Sequence, residues 1–371
     1  MKFSIITICY NEEKRIQGTL ESVYKQVFKD YEHIIEDGCS TDGTLSIVSE
    51  NAKYYEEDQL RIFSEPDTGL YDAMNRALSR AKGEYICFIN SGDFLFDANT
   101  LQKVNKEIEE SGHEDIYHGI SISVFPNMDE YGQGSSSIDS IKTYDMKAVE
   151  TGYPGLTHQA LFAHKRCFEN NIFDIRFKLR AEYRWYYKCF QNGYSFVKLN
   201  FPVCKYTFGG LSERVESIKI AYEEKKCVLE EFGYSTEQFE HLVHIQDGHC
   251  VKNNLIYNQW LALLQAGRSI KKYFHHYKMQ TIAVYGYAEY GSHLINELKN
   301  TDIKIAYLID KRELYPYSGI PVYHPDDKLM SVDAIVVTAV LSYKEVKNQL
   351  SQKITCPIIS LEDILEELWL I

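Results

Sequence analysis

Asp93 ends the run 85–93, YICFINSGD, where an Ile- and Phe-rich stretch gives way to the polar turn Asn90-Ser91-Gly92-Asp93. A carboxylate just beyond a buried strand lies where open α/β sheets bind their ligands, so Asp93 is placed to meet a metal ion or a phosphate. The same four residue types are also ordinary turn formers, and taken alone the segment is compatible with a plain connection. Other acids recur at comparable places. Glu36 and Asp37 end a second apolar run, Asp67 and Asp72 stand at the start of an amphipathic helix, and Glu182 opens another helix. Carboxylates at such points can hold cations, accept hydrogen bonds from a ligand or take a proton from a hydroxyl. They can equally cap helices, where each contributes about 0.3–1 kcal/mol.

The elements that must position these groups follow from the pattern. Residues 3–10 (FSIITICY) read as a strand, after which Asn11 caps a helix with Glu12 and Glu13 in its first turn. Tyr31–Asp37 is a second strand and Leu60–Ser64 a third. A helix follows with Leu70, Ala73, Met74, Ala77, Leu78 and Ala81 on one face, stopped at Gly83. Alternating strands and helices predict a parallel α/β unit. No glycine-rich loop follows the first strand, so bound phosphates would need another neutraliser. A cation held by Asp93 is the simplest candidate.

At 371 residues, with 44% hydrophobic and 25% charged residues, the chain has the composition of two or three ordinary globular domains. Its formal charge of −13 argues against a nucleic-acid partner. Nine scattered cysteines without a CxxC pair suggest reduced thiols rather than a disulfide frame or zinc site. Met1-Lys2 leads directly into an apolar strand without a signal-peptide pattern, and no run has the length of a membrane-spanning helix. The expected location is cytoplasmic.

The motifs ITICYNEE, IIEDGCSTDGT, DTGLYDAMNRAL and AKGEYICFINSGD, in this order and spacing, resemble the family 2 glycosyltransferases of GT-A fold. The likeness is to bacterial enzymes that assemble capsule, exopolysaccharide or lipopolysaccharide, and it covers residues 1–212. It implies an inverting transfer of a sugar from a nucleoside diphosphate, most simply a UDP-sugar, to a hydroxyl. By resemblance, Ile8, Tyr10, Asn11 and Glu12 border the nucleotide, with Tyr10 against the base and Asp37 accepting the uracil N3–H. Glu36 is the neighbouring acid that can face the ribose instead. Asp67, Gly69, Asp72 and Asn75 match the segment beside the donor sugar and diphosphate. Ser91 and Gly92 precede Asp93, the last acid of the family's metal motif, which implies Mn2+ or Mg2+. Asn90 and Gly92 stand where further acids often occur, so a site with one carboxylate should bind metal weakly until the nucleotide arrives.

Beyond the metal motif, residues 115–125 alternate as a half-buried strand and 127–140 form a Gly- and Ser-rich loop. His158 and Gln159 match a pair beside the active site; His158 is a candidate for metal, phosphate or acceptor contact, or a structural hydrogen-bonder. The segment from Leu179 to Trp185 matches the place where the family carries its general base. Glu182 fills it, although aspartate is commoner there and Ala181 replaces a frequent acidic neighbour. Its other reading is a helix glutamate paired with Arg180 or Arg184. Trp185 is a candidate platform for the acceptor sugar, or core. Gly209 and Gly210 resemble a closing segment able to bear on the diphosphate.

Residues 213–279 read as helices, and 268–278 (RSIKKYFHHYK) as either a peripheral membrane contact, where a lipid-linked acceptor would be found, or a solvated helix end. Residues 280–371 resemble a small Rossmann-like domain. Gly286, Ala288 and Gly291 stand in a partial glycine motif, and Asp310 lies at the position of a ribose-binding acid. That domain is a candidate nucleotide site or a folding, regulatory or dimerising module, and the apolar residues of 361–371 are a candidate homo-oligomer contact. The expected fold is thus α/β in three parts, residues 1–212, 213–279 and 280–371. The leading function is a metal-assisted glycosyltransferase acting on a glycan or lipid-linked acceptor in surface-polysaccharide assembly. A non-catalytic nucleotide-sugar-binding or assembly protein is the alternative, and an NAD-dependent enzyme run by the C-terminal domain a weaker third.

Overall fold

The computed structural model describes residues 1–124, 157–207, 215–233, 235–311 and 319–371. The loop expected over 127–140, residues 154–156 and the Gly209-Gly210 segment lie outside these. The chain forms two compact units, one reaching to Phe239 and the other running from Glu240 to Ile371. The helical stretch expected as a separate middle part is therefore divided between them.

In the first unit, β1 (Phe3–Cys9) pairs in parallel with β2 (Tyr31–Asp37) on one side and β4 (Tyr85–Phe88) on the other, and β3 (Leu60–Ser64) extends the sheet beyond β2. All seven residues of β1 and of β2 are buried, as a sheet covered on both faces requires. Helices α1 (Ile16–Tyr24), α2 (Thr44–Asn51) and α3 (Leu70–Arg80) make the crossovers. The sheet then continues through β7 (Leu161–His164), antiparallel to β4, and β6 (Ile116–Val124), antiparallel to β7. Strand β8 (Phe196–Thr207) runs parallel to β6, and β5 (Phe94–Leu95) closes the edge antiparallel to β8. Helix α4 (Thr100–Ser111) contributes Leu101, Val104 and Ile108 to the core around Phe3, Tyr85 and Phe162.

Two local expectations change. Helix α1 begins at Ile16 rather than just after Asn11. The backbone N–H groups of Asn11, Glu12 and Glu13 donate to Ser40 Oγ, Thr44 Oγ1 and Asp42 Oδ2, which ties this stretch to the residues that follow β2, and Asn11 has a φ of 54°, outside the right-handed helical region. Gly83 does more than stop α3, which ends at Arg80. An added Cβ there would stand 2.4 Å from the Ser4 backbone nitrogen and 2.5 Å from the Phe3 carbonyl carbon, so only glycine lets the chain pass beside β1 into β4.

Later helices of this unit are α5 (Ala181–Gln191) and α6 (Val215–Glu231). Trp185, Tyr186 and Tyr187 of α5 are all buried, and the Trp185 indole stacks on Phe168 at 4.7 Å between centroids. Trp185 is therefore core, which corrects its expected place beside an acceptor sugar.

Helix α7 (Thr236–Gln265) and α8 (Lys271–His276) precede the second sheet. That sheet comprises β9 (Thr281–Tyr285), β10 (Lys304–Ile309), β11 (Val322–Tyr323), β12 (Ala334–Val337) and β13 (Ile358–Ser360), parallel in the order β11-β10-β9-β12-β13. Helices α9 (Glu289–Leu298), α10 (Tyr343–Leu350) and α11 (Leu361–Glu367) complete the Rossmann-like unit. Gly291 has the helix-to-strand packing role of such folds, since a Cβ would stand 2.2 Å from the Gly286 carbonyl oxygen. Ala288 is the N-cap of α9. The Asp310 carboxylate accepts the Tyr287 N–H at 2.9 Å and so braces the turn that carries the partial glycine motif. Of the apolar residues of 361–371, Leu361, Ile364, Leu365 and Leu368 are packed in this unit's own core, while Trp369, Leu370 and Ile371 are exposed. Tyr273 and Phe274 of the basic-aromatic stretch are buried there too. Among the described residues no helix is long and apolar enough to cross a membrane.

The close approach at Gly83 predicts that Gly83→Ala lowers stability by about 1–3 kcal/mol through overpacking. An unfolding midpoint in urea equal to that of the wild type would contradict it.

Candidate functional site

The strand order turns between β1 and β4, and in open α/β sheets this switch point opens a crevice at the carboxyl ends of the strands. A cleft of about 440 Å³ lies there, within the range of small-molecule sites. The end of β1 supplies Ile8, Cys9 and Tyr10 to its wall, followed by Glu12 and Arg15. The turn after β4 supplies Asn90, Ser91, Gly92 and Asp93, and the start of α3 supplies Asp67, Gly69, Leu70 and Tyr71. His158 and Gln159, the α5 approach with Lys178, Leu179 and Glu182, and the end of β8 with Tyr206 and Thr207 complete it.

Asp93 is buried at 6% exposure, and both carboxylate oxygens are engaged. Gln159 Nε2 donates to Oδ2 at 3.0 Å, and the Thr207 N–H donates to Oδ1 at 2.9 Å. Thr19 Oγ1 of α1 donates to the Asp93 carbonyl at 2.8 Å and accepts the Gly92 N–H at 2.9 Å. The turn is thus fixed from α1, from the residues before β7 and from β8. Beside it, Asn90 Oδ1 and Ser91 Oγ are buried without a hydrogen-bond partner among the described residues. Unpaired buried oxygens at a cleft wall are costly unless something completes them. With Asp93 they form an oxygen donor set of the kind Mg2+ or Mn2+ accepts, one short of ligands without phosphate oxygens and water. No three His, Cys, Asp or Glu side chains converge as a preformed metal site among the described residues. The His158 ring shares a 3.0 Å hydrogen bond with Asn90 Nδ2, and burial lowers its pKa to about 4, so it is a neutral imidazole.

Glu182, in the first turn of α5, faces the same cleft. Burial, reinforced by the nearby Glu224 charge, raises its pKa to about 8, against a smaller opposing contribution from its own backbone N–H. The Tyr71 hydroxyl donates to its Oε2. This is the environment of a carboxyl group able to act as a base close to neutral pH.

Several residues singled out from the sequence lie elsewhere. Asp37 is fully buried and is not part of the cleft wall. Its carboxylate accepts from Ser40 N–H at 2.9 Å and Ser64 Oγ at 2.7 Å, and from the Ser40 hydroxyl, so it fastens the turn after β2 to β3. Glu36 is paired with Arg80, which also pairs with Glu65. Asp72 closes the start of α3 by accepting the Thr68 N–H at 2.9 Å and pairing with Arg76. Asn75 clamps the Phe173 backbone through two hydrogen bonds, Nδ2 donating to the carbonyl at 2.7 Å and Oδ1 accepting the N–H at 3.0 Å. Asn11 is exposed beyond β1 with φ of 54°, its Oδ1 accepting the Thr41 N–H at 2.8 Å. Sequence reasoning missed Arg15, Tyr71, Lys178 and Thr207. Tyr71 lies inside the quoted DTGLYDAMNRAL motif, which was the signal available for it. Arg15 and Lys178 are the cations of the cleft wall, Arg15 also holding Glu12 through a pair of hydrogen bonds at 2.5 and 2.7 Å.

A mixed sheet whose strand ends gather carboxylates, cations and a raised-pKa glutamate around one cleft has the groups that transfer to or from a phosphorylated small molecule requires, and comparison with known proteins gives its family. The profile of Glycosyl transferase family 2 matches residues 4–168. A "PGL/p-HBAD biosynthesis glycosyltransferase" of Mycobacterium tuberculosis is 30% identical over 216 residues, covering 57% of this chain and 80% of that protein. The "Putative teichuronic acid biosynthesis glycosyltransferase TuaG" of Bacillus subtilis is 40% identical over 90 residues, 24% of this chain and 35% of the relative. Among solved structures, Staphylococcus aureus TarS with UDP aligns at TM-score 0.49 and 22% identity over 65% of this chain and 69% of that one. The chain belongs to glycosyl transferase family 2 and is a glycosyltransferase. The non-catalytic alternative is not favoured by these relatives.

Because Glu182 keeps its proton in the folded protein up to about pH 8 but releases it near the ordinary 4.5 when unfolded, its contribution to stability is fully present below pH 4.5. That contribution is lost as pH rises through about 8. Glu182→Gln is expected to remove this slope and to melt higher than the wild type at pH 9. Parallel Tm-versus-pH curves for the two proteins would refute it.

Proposed function

We propose that the protein transfers a sugar, with inversion, from a UDP-sugar to a hydroxyl of a glycan or lipid-linked acceptor in bacterial surface-glycan assembly, on the cytoplasmic side of the membrane. The observation that carries the chemistry is Glu182, a buried carboxyl of raised pKa that faces the same cleft as the fixed Asp93 turn. In the reaction Glu182 takes the acceptor hydroxyl proton while the oxygen attacks the anomeric carbon. The bond from that carbon to the diphosphate oxygen breaks, and the nucleotide leaves with the electron pair. Tyr71 holds Oε2 and so fixes how the carboxyl is presented to the incoming hydroxyl.

On the donor side, Tyr10 offers a ring 59% exposed at the mouth of the cleft, suited to stacking on a base. Ile8 and Glu12 flank it, and Asp67, Gly69, Ser91 and Gly92 border the space for sugar and diphosphate. Arg15 and Lys178 bring positive charge to the phosphates. Asp93, with Asn90 Oδ1 and Ser91 Oγ beside it, would hold Mg2+ or Mn2+ against the diphosphate. When bound, the ion supplies charge neutralisation for the departing nucleotide. The names of the relatives support the setting: teichuronic acid biosynthesis for TuaG, and "Poly(ribitol-phosphate) beta-N-acetylglucosaminyltransferase" for S. aureus TarS, 38% identical over 121 residues, 31% of this chain and 20% of that protein.

Two measurements test the reading. A thermal-shift series with UDP-, GDP-, dTDP- and CMP-sugars, each with and without Mn2+, should show its largest rise for a UDP-sugar with the ion. Asp93→Ala should abolish the ion-dependent part, and an unchanged shift in that variant would remove Asp93 from the metal site. In donor turnover, kcat/KM should climb with pH to a plateau above about 8, because the base works only after losing its proton. Glu182→Gln should lower kcat by about 100-fold or more while still binding UDP; near-normal turnover would overturn the role of Glu182.

A further inference from the structure

The lead into α5 has an unusual support. Arg180 is the N-cap of the helix and provides no side-chain hydrogen bond to it. The free N–H groups of the approach are satisfied from another element: Glu224 of α6 accepts from the N–H of Lys178 at 2.6 Å, of Leu179 at 2.9 Å and of Arg180 at 3.0 Å. One carboxylate thus gathers three consecutive N–H groups of the segment that leads into the helix. The three residues it holds lead directly to Glu182, and the side chains of Lys178 and Leu179 line the cleft with it. Neither Glu182 nor Glu224 falls within the stretch matched by the family profile, residues 4–168.

We infer that Glu224 is a positioning residue for the transfer reaction: by gripping the backbone of residues 178–180 it fixes where Glu182 and Lys178 stand in the cleft. The inference rests on the reading of Glu182 as the base. A carboxylate is suited to this work because it offers enough lone pairs for three donors and carries the negative charge a helix N-terminus favours. The same charge acts on Glu182 through space, adding to the effect of burial. The groups around Glu182 are few. Tyr71 of α3 donates to it, Tyr186 lies one turn on in α5, and Lys178 and Arg180 flank it on the approach. From α6 come Glu224 and Lys225, whose pKa burial and the neighbouring Arg180 lower to about 8. Arg184, further along α5, is occupied by Glu231 and Asp174.

The test compares Glu224→Gln, Glu224→Ala and Glu182→Gln in the full-length protein. The first readout is the titration of the Glu182 carboxyl, taken as the infrared difference between each protein and its counterpart carrying Glu182→Gln. The second is the rate of UDP release from UDP-glucose, UDP-galactose and UDP-N-acetylglucosamine with Mn2+, and calorimetry with UDP and Mn2+ reports the donor site. Glu224→Gln, which keeps an acceptor but loses the charge, should move the Glu182 midpoint to lower pH and retain part of kcat. Glu224→Ala should lower kcat about tenfold or more with UDP affinity within twofold of wild type, Gln thus rescuing what Ala loses. An unmoved Glu182 midpoint in a folded Glu224→Gln protein, or Ala and Gln variants with wild-type kcat, would show that Glu224 braces the backbone of residues 178–180 and does nothing more. Loss of turnover in Glu182→Gln together with either of those results overturns this inference alone. Wild-type turnover in Glu182→Gln overturns the base assignment and this inference with it.

Discussion

The carboxylate of Asp93 accepts one hydrogen bond from Gln159 and one from the Thr207 backbone, and through them three distant parts of the first sheet meet at one point. A carboxylate this buried is tolerated only when its lone pairs are met by well-placed donors. Here those donors come from the residues preceding β7 and from the end of β8, while Thr19 fixes the adjoining backbone from α1. The mixed order of the sheet serves this arrangement, since the antiparallel entry of β7 beside β4 brings Gln159 back to the rim where β1 and β4 end. Without that return the Asp93 turn would be an ordinary connection between two strands.

Glu182 is held by a different principle. Asp93 accepts from Gln159 on one oxygen and from Thr207 on the other; Glu182 has Tyr71 on one oxygen and a second acid, Glu224, near by. Two carboxyl groups in one cleft are thereby given different environments, the kind of separation that sets acid and base apart in active sites. Placing an acid where its charged form is disfavoured costs stability, and active sites are where proteins accept that cost.

The strands were legible in the sequence because apolar, β-branched runs bounded by turn residues have few other readings. Tyr31–Asp37, Leu60–Ser64 and Lys304–Ile309 fall where the pattern puts them. Individual acids were less legible, and the reason is physical. A carboxylate at a strand end or helix start is equally suited to a ligand and to the backbone N–H groups beside it, so spacing alone does not choose. Asp93 and Asp67 reached the cleft; Asp37 and Asp72 were taken up by Ser40, Ser64, Thr68 and Arg76. Asn75 spends both polar atoms on Phe173, a partner 98 positions away that no local pattern foretells. The start of α1 was misplaced because Ser40, Asp42 and Thr44, from beyond β2, hold the backbone of residues 11–13, a contact no local pattern foretells.

Helix α3 is where these separate facts join. Its first turn carries Gly69, Leu70 and Tyr71 into the cleft beside Asp67; Tyr71 bonds Glu182, and one turn further on Asn75 grips the chain leading to α5. An α-helix moves as a stiff body, so its first turn is not displaced independently of the next. One wall of the cleft and the hydrogen bond that orients Glu182 are therefore set by one element. From the other side, Glu224 fixes the same approach through residues 178–180. Glu182 is thus held between α3 and α6, and its own helix contributes mainly the aromatic core formed by Trp185, Tyr186 and Tyr187. This division explains why α5 can be almost wholly structural in composition and still present one carboxyl group to the cleft: the constraints on Glu182 come from neighbours on both sides, and the helix has only to hold its first turn against them.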